Sequence, residues 1–306
     1  MSPKVAILLA TFNGEKYLDE QLISIVHQTH TNWKIYASDD NSSDSTISIL
    51  KNFQEIYGKA KIEILNGLCN GSTNNFLFAL NNINESFDYY AFCDQDDRWD
   101  SCKLEVAISK LANFRTLPAL YCGSSRYISS DGNYLQNSYI FKNPPSFKNA
   151  LVQSIAGGNT MVFNLKAAIL LSRTPKNNTL IAHDWWLYIL VSAYEGYIFY
   201  DKTPYLDYRQ HLYSLVGENR SVYAKFLRVK KLLNGSFKIW SDENLRILNY
   251  FQSEISKNSK ETMNFFKVIK VGSLQQRLYA FFYSGIRRQT FNGNLAMLLG
   301  IIIKKI

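Results

Sequence analysis

The sequence lacks a Gly-x-Gly-x-x-Gly after its first apolar run and has no Gly-Lys-Ser/Thr phosphate loop. The first absence excludes an ordinary dinucleotide fold, and the second excludes a P-loop enzyme. Cysteine is scarce. Cys69, Cys93, Cys102 and Cys122 show no zinc-ligand spacing, so they read as reduced thiols of a cytosolic protein. The apolar run Leu295–Ile303 falls short of the about 20 residues needed to span a bilayer. No secretory signal is read either, because Met1-Ser2-Pro3-Lys4 leads directly into the strand-like Val5–Ala10.

What is present is a chain of 306 residues with 46% hydrophobic content, enough for one large domain or a domain with an appendage. Tyr (20) and Phe (19) are abundant, which suits a protein that grips flat ligands or sugars and equally fits a coding bias. The net charge of +9 is uneven: residues 225–306 hold 15 Lys+Arg against 4 Asp+Glu, and residues 1–224 hold 19 against 21. A near-neutral body with a basic tail implies two functional parts. Nucleic acid or an anionic membrane would suit the tail.

Residues 1–124 alternate strand-like and helix-like segments. The apolar runs are Lys4–Ala10, Trp33–Ser38, Lys61–Leu65, Tyr89–Cys93 and Ala119–Cys122. Helical faces lie between them: Leu18, Leu22, Ile25 and Val26; then Ile47, Leu50 and Phe53; then Phe76, Leu77 and Leu80. Such alternation predicts an α/β fold with a mostly parallel sheet flanked by helices. Ligands of these folds sit beyond the carboxyl ends of the strands. The polar clusters fall there: Thr11–Glu15, Asp39–Asp44, Asn66–Asn75 and Asp94–Asp97.

Tyr89–Cys93 ends abruptly in three carboxylates, Asp94, Asp96 and Asp97. Asp94 and Asp96, two residues apart on an extended chain, point the same way. Crowded carboxylates repel unless a cation lies between them, and hard oxygen ligands suit Mg²⁺ or Mn²⁺. The same run also fits a solvated acidic turn capping the next helix. At Asp39–Asp44, Asp39 suits the donor groups of a nucleoside and Asp44 suits a helix cap. Asp131-Gly132 reads as a hairpin turn between Tyr127–Ser130 and Tyr134–Tyr139. Gly157-Gly158 allows close backbone approach to a ligand, or marks a bulge. Asp184 opens the apolar helix Trp185–Ala193, as its cap or as a general base beside aromatic rings. After the run Tyr197–Tyr200, Arg209 fits a phosphate clamp, and His211 a metal ligand or diphosphate contact.

These motifs occur in a familiar order. Thr11-Phe12-Asn13-Gly14-Glu15, Gln28-Thr29, Ser38–Thr46, Asp94-Gln95-Asp96-Asp97-Arg98-Trp99, His183-Asp184-Trp185-Trp186 and Tyr208-Arg209-Gln210-His211 together resemble family 2 glycosyltransferases. Over residues 4 to about 217 the chain is most similar to the rhamnosyltransferase-like branch of bacterial surface-polysaccharide synthesis (O-antigen, capsule or cell wall). The resemblance implies a GT-A fold. Its nucleotide-binding part would cover about 1–124 and its acceptor-binding part about 125–217. It implies inverting transfer from a nucleotide-diphospho-sugar, with dTDP-L-rhamnose as the leading donor and UDP-glucose, UDP-galactose or UDP-N-acetylglucosamine as alternatives. The acceptor it implies is a glycan on a polyprenyl diphosphate. Asp39 would contact the base and Thr11 lie near the nucleoside, with Asn13, Glu15 and Asp40 in the same donor-binding clusters. Asp94 and Asp96 would hold ribose and Mg²⁺ or Mn²⁺, joined by His211. Arg209 would meet phosphate, and Asp184 would be the general base. The loop Leu212-Tyr213-Ser214 departs from the family, which often carries an Asn shortly after the His. A non-catalytic sugar- or nucleotide-binding protein is the reading from another class. Asp94, Asp96 and Asp184 together argue against it, because a pure binder has no use for a base.

The tail, 218–306, reads as helices over Val222–Leu233, Phe237–Ile255, Thr262–Val271, Leu274–Arg287 and Leu295–Ile303. The last, beside Arg277, Arg287, Arg288, Lys304 and Lys305, suits a helix lying in a membrane interface. It suits equally a helix packed on the catalytic domain or in a homodimer. The acidic sheet edge and the apolar end of the tail argue against nucleic acid. The expected location is cytoplasmic, peripheral on the inner face of the cell membrane.

Overall fold

The computed structural model describes residues 2–175, 180–210 and 234–306. Its centre is a sheet of seven strands: β1 (Val5–Thr11), β2 (Trp33–Asp39), β3 (Ile62–Asn66), β4 (Tyr89–Cys93), β6 (Ala119–Gly123), β9 (Val162–Asn164) and β10 (Tyr197–Asp201). They lie in the order β10-β6-β9-β4-β1-β2-β3, all neighbours parallel except β9, which runs antiparallel to both β4 and β6. The expected mixed, mostly parallel sheet is therefore present. A second sheet, β5-β11-β7-β8, joins β5 (Arg98–Trp99), β11 (Leu206–Arg209), β7 (Arg126–Ile128) and β8 (Tyr134–Asn137). The hairpin read at Asp131-Gly132 is its β7–β8 pair. The two-residue β5 and four-residue β11 carried no readable alternation.

β1 is buried along its whole length, as a continuous apolar run between two helical layers must be. Its residues alternate between two cores. Val5, Ile7 and Leu9 pack with Leu18, Leu22 and Ile25 of α1 (Leu18–Val26) and with α2 (Thr46–Tyr57) and α4 (Lys103–Leu111). Ala6, Leu8 and Ala10 pack with Phe76, Ala79 and Leu80 of α3 (Ser72–Asn81), with α5 (Phe147–Ala150), α6 (Leu165–Ser172) and α7 (His183–Ala193).

α7 is buried on every side from Trp185 to Ala193, which a one-sided surface helix never is. The cause is a further layer: α8 (Ser236–Leu248), α9 (Lys257–Val271), α10 (Leu274–Ser284) and α11 (Phe291–Ile302). Leu248, Phe251, Met263, Phe266, Met297 and Ile301 belong to the same core as Trp186 and Leu190. The Trp186 and Phe251 rings lie 6.1 Å apart. The described part of the helical tail is thus packed over α7 as a further layer of the same core. Its expected helix Val222–Leu233 and the boundary at 217/218 lie outside the described residues. The expected single helix 237–255 is broken: α8 ends at Leu248, a 3-10 turn covers Asn249–Phe251, and Ser256 caps α9 by accepting from Ser259 N–H. Gly285, at φ +69°, stops α10 three residues before the expected end.

Candidate active site

The carboxyl ends of β1, β2 and β4 converge. Thr11 and Asp39 are register partners at the last pair of β1 and β2. The buried Thr11 hydroxyl donates to Asp39 Oδ1 at 2.8 Å, and Ser42 donates its backbone N–H to Oδ2 and its hydroxyl to Oδ1. Asp39 is therefore held rigidly at the strand end with little exposure. Asp40 reaches across to the loop after β3, accepting from the N–H groups of Cys69 (2.8 Å) and Gly71 (2.9 Å). Cys69 is exposed on that loop.

Asn13 and Glu15 bind the β1 loop to the β2 loop. Asn13, at φ +46°, accepts from Ser43 N–H at 2.9 Å, and Glu15 accepts from Ser45 N–H at 3.0 Å. Asp44, expected as the cap of α2, lies one residue before the cap position, which Ser45 holds, and accepts from Thr46 N–H at 3.0 Å. Gln95 clamps the backbone of Phe12 through both halves of its amide, at 2.8 and 2.9 Å. Gln28 is buried beneath this layer and joins α1 to α4, donating to Asp100 O and accepting from Leu104 N–H.

Asp94, Asp96 and Asp97 follow β4. Asp94 is held above the ordinary carboxylate range first by burial, then by the charges of Asp96 and Asp184. Asp184, ninety residues later in the sequence, reaches the same edge through Gly158-Asn159: Gly158 N–H donates to Asp184 and Asn159 Nδ2 to Asp97. Asp97 turns inward and is fully buried, accepting from Asn159 Nδ2 at 2.5 Å. It anchors the turn from within, a role that only its position beside Gly157-Gly158-Asn159 could have signalled.

Asp184 sits in the first turn of α7. Its Oδ2 accepts from Gly158 N–H at 3.1 Å and its Oδ1 from Trp185 N–H at 2.6 Å. Burial pushes its pKa up to about 6, against the pull of those N–H donors. The close approach permitted by Gly158 is to a protein ring: a Cβ there would lie 2.4 Å from His183 Nε2. His183 is wedged between Phe76 and Phe92, ring centroids 4.1 and 4.6 Å away, with both ring nitrogens buried and unpartnered. Burial drives its pKa down to about 3, so the ring is neutral and apolar in behaviour.

Arg209, expected to meet phosphate, has a buried guanidinium that donates to Asp96 O (3.0 Å), Ser130 O (3.0 Å) and Glu20 and lies over the face of Tyr17. It ties β11 to the acidic turn. His211 lies outside the described residues. Among the described residues no group of three His, Cys, Asp or Glu forms a metal cage. Asp94 and Asp96 instead fit a hard cation that draws its remaining ligands from water and phosphate.

The sequence profile described as glycosyl transferase family 2 matches residues 6–174. The chain belongs to that family. A dTDP-rhamnosyl transferase of Shigella flexneri, RfbG, is 32% identical over 74% of this chain and 79% of its own length. The putative teichuronic acid biosynthesis glycosyltransferase TuaG of Bacillus subtilis is 24% identical over 64% of this chain and 75% of its own. Among solved structures, S. aureus TarS residues 1–349 bound to UDP superpose with a TM-score of 0.52 at 15% identity, covering 99% of this chain and 89% of that one. The fold is therefore GT-A, and the glycosyltransferase is of the rhamnosyltransferase-like branch.

Proposed function

We propose that this glycosyltransferase transfers a sugar with inversion from a nucleotide-diphospho-sugar, dTDP-L-rhamnose in the first instance, to a hydroxyl of a polyprenyl-diphosphate-linked glycan in surface-polysaccharide synthesis. The observation that carries the reading is the Gly158-Asn159 turn, whose Gly158 N–H holds Asp184 and whose Asn159 amide holds Asp97, so that the start of α7 meets the carboxylates after β4 at the edge that also holds Asp39. The donor name follows RfbG. An Escherichia coli relative, WfgD, 32% identical over 35% of this chain and 40% of its own, is a UDP-Glc:alpha-D-GlcNAc-diphosphoundecaprenol beta-1,3-glucosyltransferase, which supports the acceptor class and keeps a UDP-hexose donor as the second reading.

In this reading Asp39 accepts from the base, while Asn13, Glu15 and Asp40 hold the loops that shape the donor site. A divalent Mg²⁺ or Mn²⁺ on Asp94 and Asp96 would neutralise charge gathering on the leaving diphosphate. Asp184 takes the proton of the acceptor hydroxyl as that oxygen bonds to the anomeric carbon and the bond to diphosphate breaks. A base with a pKa near 6 is ionised at neutral pH and still basic enough for the task. Residues 1–124 serve the donor, 125–217 the acceptor, and 218–306 the membrane surface.

The membrane reading rests on α11. Met297, Gly300 and Ile301 bury one face of this helix, while Phe291, Leu295, Leu299 and Ile302, spaced by four, four and three, leave another apolar face exposed. Residues 272–306 carry five Lys+Arg and no Asp+Glu. That combination suits an anionic interface on the cytoplasmic side, and no described helix is long and apolar enough to cross one.

The test is donor hydrolysis by purified protein with Mn²⁺ or Mg²⁺, offered dTDP-rhamnose, UDP-glucose, UDP-galactose and UDP-N-acetylglucosamine. Turnover of one donor, lost with EDTA and in Asp96→Ala, is expected. The absence of both nucleotide binding and turnover, with every donor, would overturn the reading.

A further inference from the structure

Two stretches far apart in the sequence meet where α5 touches the link between α10 and α11, and neither carries a carboxylate. No Asp or Glu occurs in residues 132–183 or in residues 262–306. Amides join the two. Asn143 N–H donates to Gln289 Oε1 at 3.1 Å, Gln289 Nε2 donates to Asn143 O at 3.1 Å, and Gln289 N–H donates to Gln153 Oε1 at 2.9 Å. Asn149 Nδ2 donates to Arg287 O at 3.0 Å. Asn149 and Gln289 are buried, so the seam is fixed from within.

The seam gathers three cations. Lys142 and Lys148 each precede one of its asparagines, and Arg287 is one of its acceptors. Lys148 Nζ passes Gly285 closely, 3.2 Å from where a Cβ would stand. All three side chains are exposed. Among the described residues none of the three is in an ion pair. Like charges brought together without a counter-charge repel, and the amides alone would close the seam. The arrangement suits a multiply charged anion, and Lys and Arg both serve phosphate oxygens. Exposed rings flank it: Phe282 and Tyr283 before the link, Phe291 after it. On its inner side α5 is tied to the site, because Trp185 Nε1, next to Asp184, donates to Ala150 O at 2.7 Å.

We propose that this seam holds the diphosphate of the lipid-linked acceptor. Lys142, Lys148 and Arg287 meet its phosphate oxygens, and the lipid chain leaves over the exposed rings toward the outer face of α11. The inference rests on the acceptor class proposed above. The hydroxyl that gives its proton to Asp184 is joined to that diphosphate through sugar alone. A diphosphate held beside α5 therefore presents the glycan from the side on which α5 meets the start of α7. The role is one of binding, with no bond made or broken at the seam.

The experiment is co-sedimentation of the full chain with phosphatidylcholine vesicles that carry undecaprenyl diphosphate, or phosphatidylglycerol at the same total charge. The parent is expected to bind the diphosphate vesicles about tenfold more tightly, the worth of one charge-assisted hydrogen bond. Lys148→Gln with Arg287→Gln is expected to bring the two affinities within about twofold of each other at unchanged melting temperature. Lys304→Gln with Lys305→Gln removes as much charge outside the seam, and is expected to weaken both alike and leave the preference intact. Equal binding of the two vesicles by the parent, or binding of neither, overturns the proposal. So does a folded Lys148/Arg287 variant that keeps the preference, or a Lys304/Lys305 variant that loses it as fully. If the seam pair does not fold together, each single substitution is held to the same criterion, and failure of both to fold makes the residues structural and overturns the proposal. Absence of nucleotide binding by the parent, measured by calorimetry, would overturn the transferase reading, a separate failure.

Discussion

At the scale of single residues, the reading turns on Asp184. Asp184→Asn keeps the hydrogen bond from Gly158 N–H but cannot accept a proton. We expect kcat to fall about a thousandfold with nucleotide affinity, measured by calorimetry, unchanged. Equal losses in both would mean that the residue builds the site and does not act in it. The pH profile follows from its raised pKa. Asp184 works only when ionised, so kcat/KM should rise with pH through about 6 and level off above it. A profile flat from pH 5 to 8 would remove Asp184 as the base. Gly158→Ala is a sharper structural probe. Its Cβ would meet His183 Nε2 at 2.4 Å, and a ring locked between Phe76 and Phe92 has nowhere to go. Overpacking of this kind costs about 1–3 kcal/mol, so a lowered melting temperature with much reduced activity is expected. A fully active, equally stable variant would contradict the packing described.

At the scale of elements, α11 sets a problem that sequence left open between membrane and packing. One face of the helix lies inside the core and another apolar face lies outside it. Deleting residues 295–306 would therefore be a poor test, because it also removes the buried Met297, Ile301 and Ile306. Leu295→Gln with Leu299→Gln touches the outer face alone. We expect this pair to abolish co-sedimentation with anionic vesicles at low salt while melting temperature stays within a few degrees. Undiminished binding to vesicles would assign the outer face to another partner. α7 poses the opposite case. Its run of apolar residues on every side was legible, but what covered it was not, because α8 to α11 carry mixed faces whose partner lies forty or more residues away.

At the scale of the whole molecule, the alternating pattern of residues 1–124 stated the sheet plainly. β1, β2, β3 and β4 fell within a residue of their expected ends, because each is an apolar run closed by a polar cluster. The clusters named the site edge for the same reason. What sequence hid was the division of labour within them. Asp94, Asp96 and Asp97 look alike on paper, yet Asp97 faces Asn159 inside the protein. The partners of the Arg209 guanidinium come from α1 and from the turns after β4 and β7, far from it in sequence. Lys103, the buried first residue of α4, sat unnoticed at a helix start, where a lysine is ordinarily a surface residue. Such distinctions depend on which neighbours arrive from afar.

The anchoring of the β3 loop by Asp40 has a practical sequel. Of the four thiols, Cys93 and Cys122 are buried, Cys102 is half-covered, and Cys69 alone is exposed, with its own N–H bonded to Asp40 beside the proposed donor site. A maleimide dye added briefly to the native protein would settle on Cys69 first. Its fluorescence would then follow nucleotide arrival at that edge in real time, without a single engineered residue.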